Sequence, residues 1–333
     1  MGEWVKGERY IWLLAVSCWL LAVAGCQNVP EVEVRVRECA GLPTGGRAAA
    51  CACTLNGKGY VFAGRDEKGN YQNDLWQYDP TTDCWTDLGK APMNPRVNAT
   101  ITAYGDKLYA GLGYSAHGAY IDTAYQRDWW EYTPASGKWK RLADYPNANT
   151  VAPLSFAIGD YLYAIYGFGY GFTRDVCRYD VASDRWMEMP DQDERPNHNF
   201  GGRGAWLNGM YYYGTGYATY SMNHWYVADV ASDHWERRTY VPGKGRQFCA
   251  CAASSQYVYL FGGRHFAGDL TGGEVFETYL RYSPDQDRWE WCGTMPCGRA
   301  ENQIAFTIDS KAYVGLGENE NGQMIKHLYR IED

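Results

Sequence analysis

The chain has 333 residues, with 31 Lys and Arg against 39 Asp and Glu, and a formal net charge of −8 at pH 7. An acidic body of this size argues against nucleic acid as a partner, because phosphate backbones select a basic footprint. With 46% apolar and 16% aromatic residues, the chain can bury one large core as a single domain.

The first predicted element is a processing signal. Lys6 and Arg9 precede a nearly unbroken apolar run from Tyr10 to Ala24. The run is too short for a comfortable membrane span and fits the core of a signal peptide. No second such run follows. The run ends in Val23-Ala24-Gly25-Cys26, which resembles the lipobox of bacterial lipoproteins. That resemblance implies cleavage before Cys26 and acylation of its thiol; an ordinary signal peptide is the alternative. Residues 1–25 then form the leader, 26–32 a polar tether and 33–333 the folded body. No aspartate follows Cys26 directly, so the expectation is a cell-envelope, outer-membrane lipoprotein facing the periplasm or the exterior, touching the membrane through its lipid alone.

Beyond Cys18 and Cys26, nine cysteines remain, at 39, 51, 53, 84, 177, 249, 251, 292 and 297. An odd number requires at least one free thiol or an external partner. No Cys-x-x-Cys occurs. The alternating pairs Cys51/Cys53 and Cys249/Cys251 read as small packing residues in strands.

A spacing recurs through the body: tyrosine, three residues, glycine. It occurs at Tyr60/Gly64, Tyr109/Gly113, Tyr163/Gly167, Tyr212/Gly216, Tyr259/Gly263 and Tyr313/Gly317. A period of about fifty residues marks a repeat architecture. Each unit opens with a small, apolar run such as Ala48 to Leu55. A turn follows, for instance Asn56-Gly57 or Asn208-Gly209, dipeptides that accept the positive φ of tight hairpins. The second strand carries the tyrosine and closes at the glycine. A third strand ends in Tyr78, Tyr132, Tyr179 or Tyr282, and seven residues on stands Trp85, Trp139, Trp186 or Trp289. Trp235 keeps the place in the fourth unit, with Ala228 for the tyrosine. The register of these aromatics makes them core. Four antiparallel strands repeated in this way describe the blades of an all-β propeller.

These residues resemble the kelch repeat, with its glycine-terminated second strand and its tyrosine and tryptophan at fixed separation. The double glycine of that repeat survives only as Gly262-Gly263. The resemblance covers nearly all of residues 33–333 and implies a six-bladed kelch-type β-propeller. The sixth unit lacks its tryptophan strand. Pro43 fits the proline that elsewhere follows the tryptophan by seven (Pro92, Pro146, Pro242, Pro296). Val36 then holds the tryptophan place, and Glu33 to Leu42 is expected to close the ring as the outer strand of blade six, leaving no open edge.

Strand geometry gathers two rings of residues at one mouth. The start ring reads Arg47, Arg96, Thr150, Asn199, Arg246 and Ala300, with Arg299 one residue out of register. The return ring, after each glycine, reads Arg65, Tyr114, Phe168, Tyr217, Arg264 and Glu318. Guanidinium forks on one arc match carboxylates, sulfates or phosphates, and the aromatic arc with the Tyr166 to Phe172 glycine-aromatic loop offers a stacking surface. Strand-start arginines of kelch repeats often bond carbonyls of neighbouring blades instead, and Asp66, Glu301 and Glu318 are placed to neutralise the rest.

Galactose oxidase and its copper-radical relatives contain kelch blades, but on seven-bladed rings. The six histidines here are scattered without paired spacing, so no metal or cofactor is expected. Bacterial sialic-acid mutarotases are also six-bladed kelch proteins. That resemblance implies an arginine for the sugar carboxylate, here Arg264 or Arg299, and Glu318 or Glu301 for proton transfer. No serine nucleophile elbow, P-loop or dinucleotide fingerprint is present. The reading favoured by the sequence is a lipid-anchored, non-catalytic protein binding an acidic saccharide or an envelope protein at the arginine-rich mouth. The alternatives are the sugar isomerase and a scaffold subunit of an outer-membrane complex.

Overall fold

Tight turns set the repeat. Asn56 and Gly57 take φ of 50° and 70°, Asn208 and Gly209 take 52° and 78°, and Asp309 and Ser310 take 48° and 56°. Two successive positive φ values give the hairpin twist that matches paired strands. In the computed structural model, described for residues 29–115, 124–147, 151–169, 175–190, 200–218, 220–230, 232, 234–266 and 273–333, each turn joins the first two strands of a four-stranded antiparallel blade. No helix among the described residues is long and apolar enough to cross a membrane.

There are six such blades among the described residues. Blade one is Cys51–Leu55, Lys58–Phe62, Asp74–Asp79 and Cys84–Lys90. Blade two is Thr100–Tyr104, Lys107–Gly111, Trp129–Thr133 and Lys138–Arg141. Blade three is Leu154–Ile158, Tyr161–Ile165, Val176–Asp180 and Arg185–Glu188. Blade four is Arg203–Leu207, Met210–Gly214, Trp225–Asp229 and His234–Arg237. Blade five is Ala250–Ala253, Val258–Phe261, Thr278–Ser283 and Arg288–Thr294. Blade six is Ile304–Ile308, Lys311–Gly315 and Leu328–Glu332, completed by Arg35–Cys39 from the start of the chain. The unit Glu31–Asp333 is therefore a six-bladed β-propeller, as the repeat implied.

Closure follows the expected register. Val36 lies opposite Ile331 in blade six, where Trp85 lies opposite Tyr78 in blade one. Before reaching blade six, the chain runs along blade five, and Val32 N–H donates to the Trp291 carbonyl at 2.8 Å.

The tyrosine–tryptophan spacing has a second purpose beyond packing. In blades one, three and five the tyrosine hydroxyl donates to an aspartate five residues on: Tyr78 to Asp83 at 2.7 Å, Tyr179 to Asp184 at 2.7 Å, Tyr282 to Asp287 at 2.6 Å. The aspartates sit in the left-handed region, with φ of 51°, 54° and 45°. Each accepts a backbone N–H from the neighbouring blade, from Ala40, Ala143 and Thr239 respectively. The tryptophan Nε1 of the same blade donates to the carbonyl of that same residue, at 2.7, 3.0 and 3.0 Å. Both polar groups of one residue are thus held by the adjacent blade, which satisfies backbone that the interface buries. Blades one, three and five grip blades six, two and four in turn. In blade two, Gly137 stands at the aspartate position; the Tyr132 and Trp139 rings meet at 4.8 Å, and Trp139 reaches Phe62 of blade one at 6.0 Å.

First strands of neighbouring blades lie side by side at every junction except that of blades three and four, so they surround the axis. Just before each first strand one residue adopts left-handed φ: Ala49, Asn98, Ala152, Gly201, Phe248 and Asn302, at 50° to 70°. These residues link blade to blade through their backbones. Ala49 N–H donates to Asn302 O, Asn98 to Ala49, Ala152 to Asn98, Phe248 to Gly201 and Asn302 to Phe248, at 2.9 to 3.1 Å. Among the described residues they form a hoop at the throat that is open between Ala152 and Gly201. The left-handed residue breaks the run from Arg47 to Leu55, so the first strand begins at Cys51 instead of at Arg47.

The repeat glycine is required where the second strand ends. Gly64 and Gly317 have φ of 97° and 93°, and a Cβ would stand 2.8 Å from Ala48 O and 2.5 Å from Glu301 O. No disulfide joins the nine cysteines among the described residues; Cys51 and Cys53 pack together against blade two.

Candidate functional site

The residue after each repeat glycine pairs across the mouth entrance with a residue of its own blade. Arg65 faces Ala48. The other pairs are Tyr114 with Val97, Phe168 with Val151, Tyr217 with Phe200, Arg264 with Gln247, and Glu318 with Glu301. The return ring is thus one residue past each repeat glycine, each member paired within its own blade. The partners that face it, among them Val97, Val151, Phe200 and Gln247, are one residue later than the start ring, and Val97, Val151 and Gln247 are buried. Asn199 and residues 170–172 lie outside the described residues, as does Cys26.

The start arginines serve the frame. Arg47 is 3% exposed and Arg96 fully buried. Arg47 donates to the Ala63 carbonyl at 2.9 Å and to both oxygens of Asp74 at 2.7 and 3.0 Å. Arg96 repeats this with the Leu112 carbonyl at 3.0 Å and Asp128 at 2.7 and 3.0 Å. Each guanidinium thus caps the turn that ends the second strand and forks onto the carboxylate that begins the third. Arg246, also buried, reaches the Gly262 carbonyl at 3.1 Å and lies 4.3 Å from the centre of the Phe276 ring. Thr278 holds the carboxylate position in that blade, and burial lowers the Arg246 pKa to about 10. These three side chains face inward and do not form a ligand-binding arc, a correction to the sequence reading. Arg299 donates to the Val275 carbonyl at 2.8 Å and pairs with Glu320 at 3.2 Å, so it braces a loop on the rim.

Arg65 and Arg264 remain at the mouth, 35% and 19% exposed. Each is joined to a carboxylate from blade six. Arg65 Nη2 lies 2.6 Å from Glu318 Oε2. Arg264 bonds Glu301 through Nε at 2.9 Å and Nη2 at 2.5 Å. These bonds raise the Arg264 pKa further, burial opposing them. Asn302 Nδ2 donates to the other Glu318 oxygen at 3.0 Å. Glu301 and Glu318 are adjacent through reciprocal backbone bonds at 2.9 and 3.0 Å. The arc from blade five to blade one is therefore a row of alternating donors and acceptors with its charge balanced locally.

Opposite it lies an aromatic arc. Tyr71 and Tyr125 flank Tyr114 with ring centres at 6.3 and 5.9 Å. Phe168, Phe200 and Phe248 follow in sequence at 5.4 and 5.1 Å, and Tyr217 meets Phe266 at 6.1 Å. A polar arc with fixed forks facing a row of rings suits a flat, polyhydroxylated ligand bearing a carboxylate. His265, next to Arg264 in the chain, is held by its Nδ1 to the Gly245 carbonyl at 2.8 Å.

Comparison with known proteins gives three kinds of match. Residues 25–208 match the family model of the KLHDC2/KLHL20/DRC7 Kelch-repeats domain. The chain is 28% identical to Kelch-like protein 15 of Danio rerio over 221 residues, 58% of this chain and 34% of that protein. It is 36% identical over 78 residues to the N-acetylneuraminate epimerase of Pasteurella multocida (strain Pm70), 22% of this chain and 20% of that enzyme. The corresponding enzyme of Haemophilus influenzae (strain PittEE) matches at 35% over 86 residues, 25% and 23% of the two chains. In each case the match spans about a third or less of the relative's length. The solved structure of YjhT superposes with a TM-score of 0.74 at 13% identity, covering 89% of this chain and 99% of that one, which shows a shared fold. With six blades, the repeat glycines and a family match over more than half its length, the chain belongs to the kelch-repeat β-propeller family.

Proposed function

We propose that this protein is a binding protein that holds an acidic saccharide at the mouth of its propeller, kept at the cell envelope by a lipid on Cys26. The observation that carries the reading is the opposition of two Arg–Glu pairs, Arg65–Glu318 and Arg264–Glu301, to the arc of Tyr114, Phe168 and Tyr217. A sugar carboxylate competes for the guanidinium forks, ring hydroxyls bond the glutamates, and the apolar sugar face rests on the rings. Titration calorimetry with N-acetylneuraminate and with neutral N-acetylmannosamine tests it. Binding is expected for the acid alone, to weaken with added salt, and to be lost in the double variant Arg65→Ala/Arg264→Ala. Equal heats for both sugars, or an unchanged double variant, would remove the reading.

The similarity to N-acetylneuraminate epimerases favours one alternative, an isomerase acting on the same kind of sugar. Glu301 or Glu318 would then move the proton. Faster interconversion of the two forms of N-acetylneuraminate in NMR exchange spectra, abolished in Glu301→Gln or Glu318→Gln, would select it over simple binding.

A further inference from the structure

Below the throat the first strands enclose a cavity of about 140 Å³, lined among others by Cys51, Thr100, Ser155, Arg203, Cys251 and Ile304, one from each blade. Blade four departs from the repeat here at three linked positions. Arg203 pairs with Gly214, the register place held by Cys51, Thr100, Leu154, Ala250 and Ile304 in the other blades. One blade therefore sets a cation where five set uncharged groups. Tyr211, opposite Trp206, stands where the others carry Gly59, Leu108, Leu162, Val258 and Ala312. Gly204 accommodates it, since a Cβ there would lie 2.7 Å from the Tyr211 hydroxyl. The phenol, 4% exposed, thus reaches past the strand to the cavity.

Neither donor is used up within the fold. Among the described residues Arg203 makes one hydrogen bond, from Nη1 to the Gly202 carbonyl at 2.9 Å, and no ion pair. The Tyr211 hydroxyl has no hydrogen-bond partner among the described residues. No carboxylate among the described residues lines the cavity. The titratable neighbours of Arg203 are the thiols of Cys249, Cys251 and Cys51 and the phenol of Tyr211. Burial raises the pKa of each, so none supplies negative charge at neutral pH. Arg203 is half-buried; a cation partly withdrawn from water without counter-charge is disfavoured, and a guanidinium is not relieved by deprotonation.

We propose that the axial cavity is a binding site for a small planar oxyanion, a carboxylate of about acetate size, held by Arg203 with the Tyr211 hydroxyl as second donor. A guanidinium presents two parallel N–H groups to the two oxygens of such an anion, and an apolar cavity of similar volume, about 150 Å³, admits a benzene-sized guest. Of the residues lining the cavity, none belongs to the Arg65/Arg264 mouth set, so the site stands independently of the saccharide reading.

The test is thermal unfolding of the full chain in sodium acetate, sodium nitrate and sodium chloride at matched ionic strength, with ¹³C-acetate line broadening as a direct binding readout. A ligand that binds only the folded state raises the midpoint saturably. Acetate is expected to do so beyond chloride, with affinity at least tenfold lower in Arg203→Met, lower by several fold in Tyr211→Phe, and unchanged in Arg65→Ala/Arg264→Ala. Without acetate or nitrate, Arg203→Met is expected to melt at or above the parent, having lost a half-buried cation with no ion-pair partner among the described residues. A nitrate response matching acetate assigns an inorganic planar anion to the same place, and a response to acetate alone assigns a carboxylate. The proposal is overturned by a parent that responds to acetate no more than to chloride, or by an Arg203→Met variant that binds acetate as the parent does. If Arg203→Met does not fold, undiminished acetate broadening in Tyr211→Phe overturns it instead.

Discussion

Arg65 and Glu318 are 253 residues apart in the chain and 2.6 Å apart at the mouth. Only closure of blade six onto blade one brings them together. Arg65 is 35% exposed, whereas Arg47, paired with Asp74, is 3% exposed. The two arginines therefore answer differently to the same substitution. Arg47→Ala leaves the Ala63 carbonyl and the Asp74 carboxylate without their donor and is expected to cost about 3–5 kcal/mol, the usual loss for breaking a buried pair. Arg65→Ala, with Asn302 still on Glu318, is expected to cost about 1 kcal/mol or less. Urea denaturation of both variants checks the contrast; equal losses would contradict the division between frame and mouth.

The closing strand is expected to be indispensable. Removing residues 33–42 strips the outer strand from blade six, uncovers Leu328 and Ile331, both fully buried, and frees a sheet edge. It also deprives Trp85 and Asp83 of the Ala40 backbone they hold. Calorimetry should show the whole unit melting in one transition at a much lower temperature than the parent. A truncated protein that melts like the parent would show that the seam does not matter.

Trp289 separates ring packing from clamping. It is 2% exposed, with Tyr282 and Trp225 ring centres both at 5.1 Å. Trp289→Ala is expected to cost about 3–5 kcal/mol. Trp289→Phe keeps most of the packing but orphans the Thr239 carbonyl, at about 1–3 kcal/mol. Denaturant midpoints at constant slope provide the measurement.

Acid should loosen the ring through the clamp aspartates. The Ala40 N–H, chiefly, with the Tyr78 hydroxyl, holds the Asp83 pKa below the usual carboxylate value despite partial burial. Burial alone would raise Asp287, but the Tyr282 hydroxyl and Thr239 N–H outweigh it and lower its pKa. Depressed folded-state values mean that both contribute stability above the unfolded carboxylate pKa of about 3.9. That contribution is lost as pH falls through the lower folded values. Melting temperature should be level near neutrality and drop below about pH 4, less steeply in Asp83→Asn/Asp287→Asn.

The architecture was legible because each repeat signal has one physical cause. The terminal glycine meets a carbonyl where no Cβ fits, and Val36 could be assigned by counting from Pro43. The mouth was legible in part. Arg65, Arg264, Glu301 and Glu318 follow directly from the glycine register. The start ring was displaced by one because the left-handed residue before each first strand has no common identity: Ala49, Asn98, Ala152, Gly201, Phe248, Asn302. Only the asparagines and the glycine favour that conformation. Counting arginines also could not tell a buried fork from an open one. The signal was present in Asp74 and Asp128, each two residues before a tryptophan whose Nε1 it accepts. The clamp aspartates 83, 184 and 287 recur five after tyrosine, but their role needs the neighbouring blade, which sequence order does not supply.

The hoop at the throat has a kinetic corollary. Its amide hydrogens are shared between wedges and belong to none, so fraying within a single wedge need not release them to solvent. The amides of Ala49, Asn98, Ala152, Phe248 and Asn302 should exchange with deuterium late and at one shared rate. That rate clocks the rupture of the whole rosette, while outer strands trade their hydrogens sooner and piecemeal.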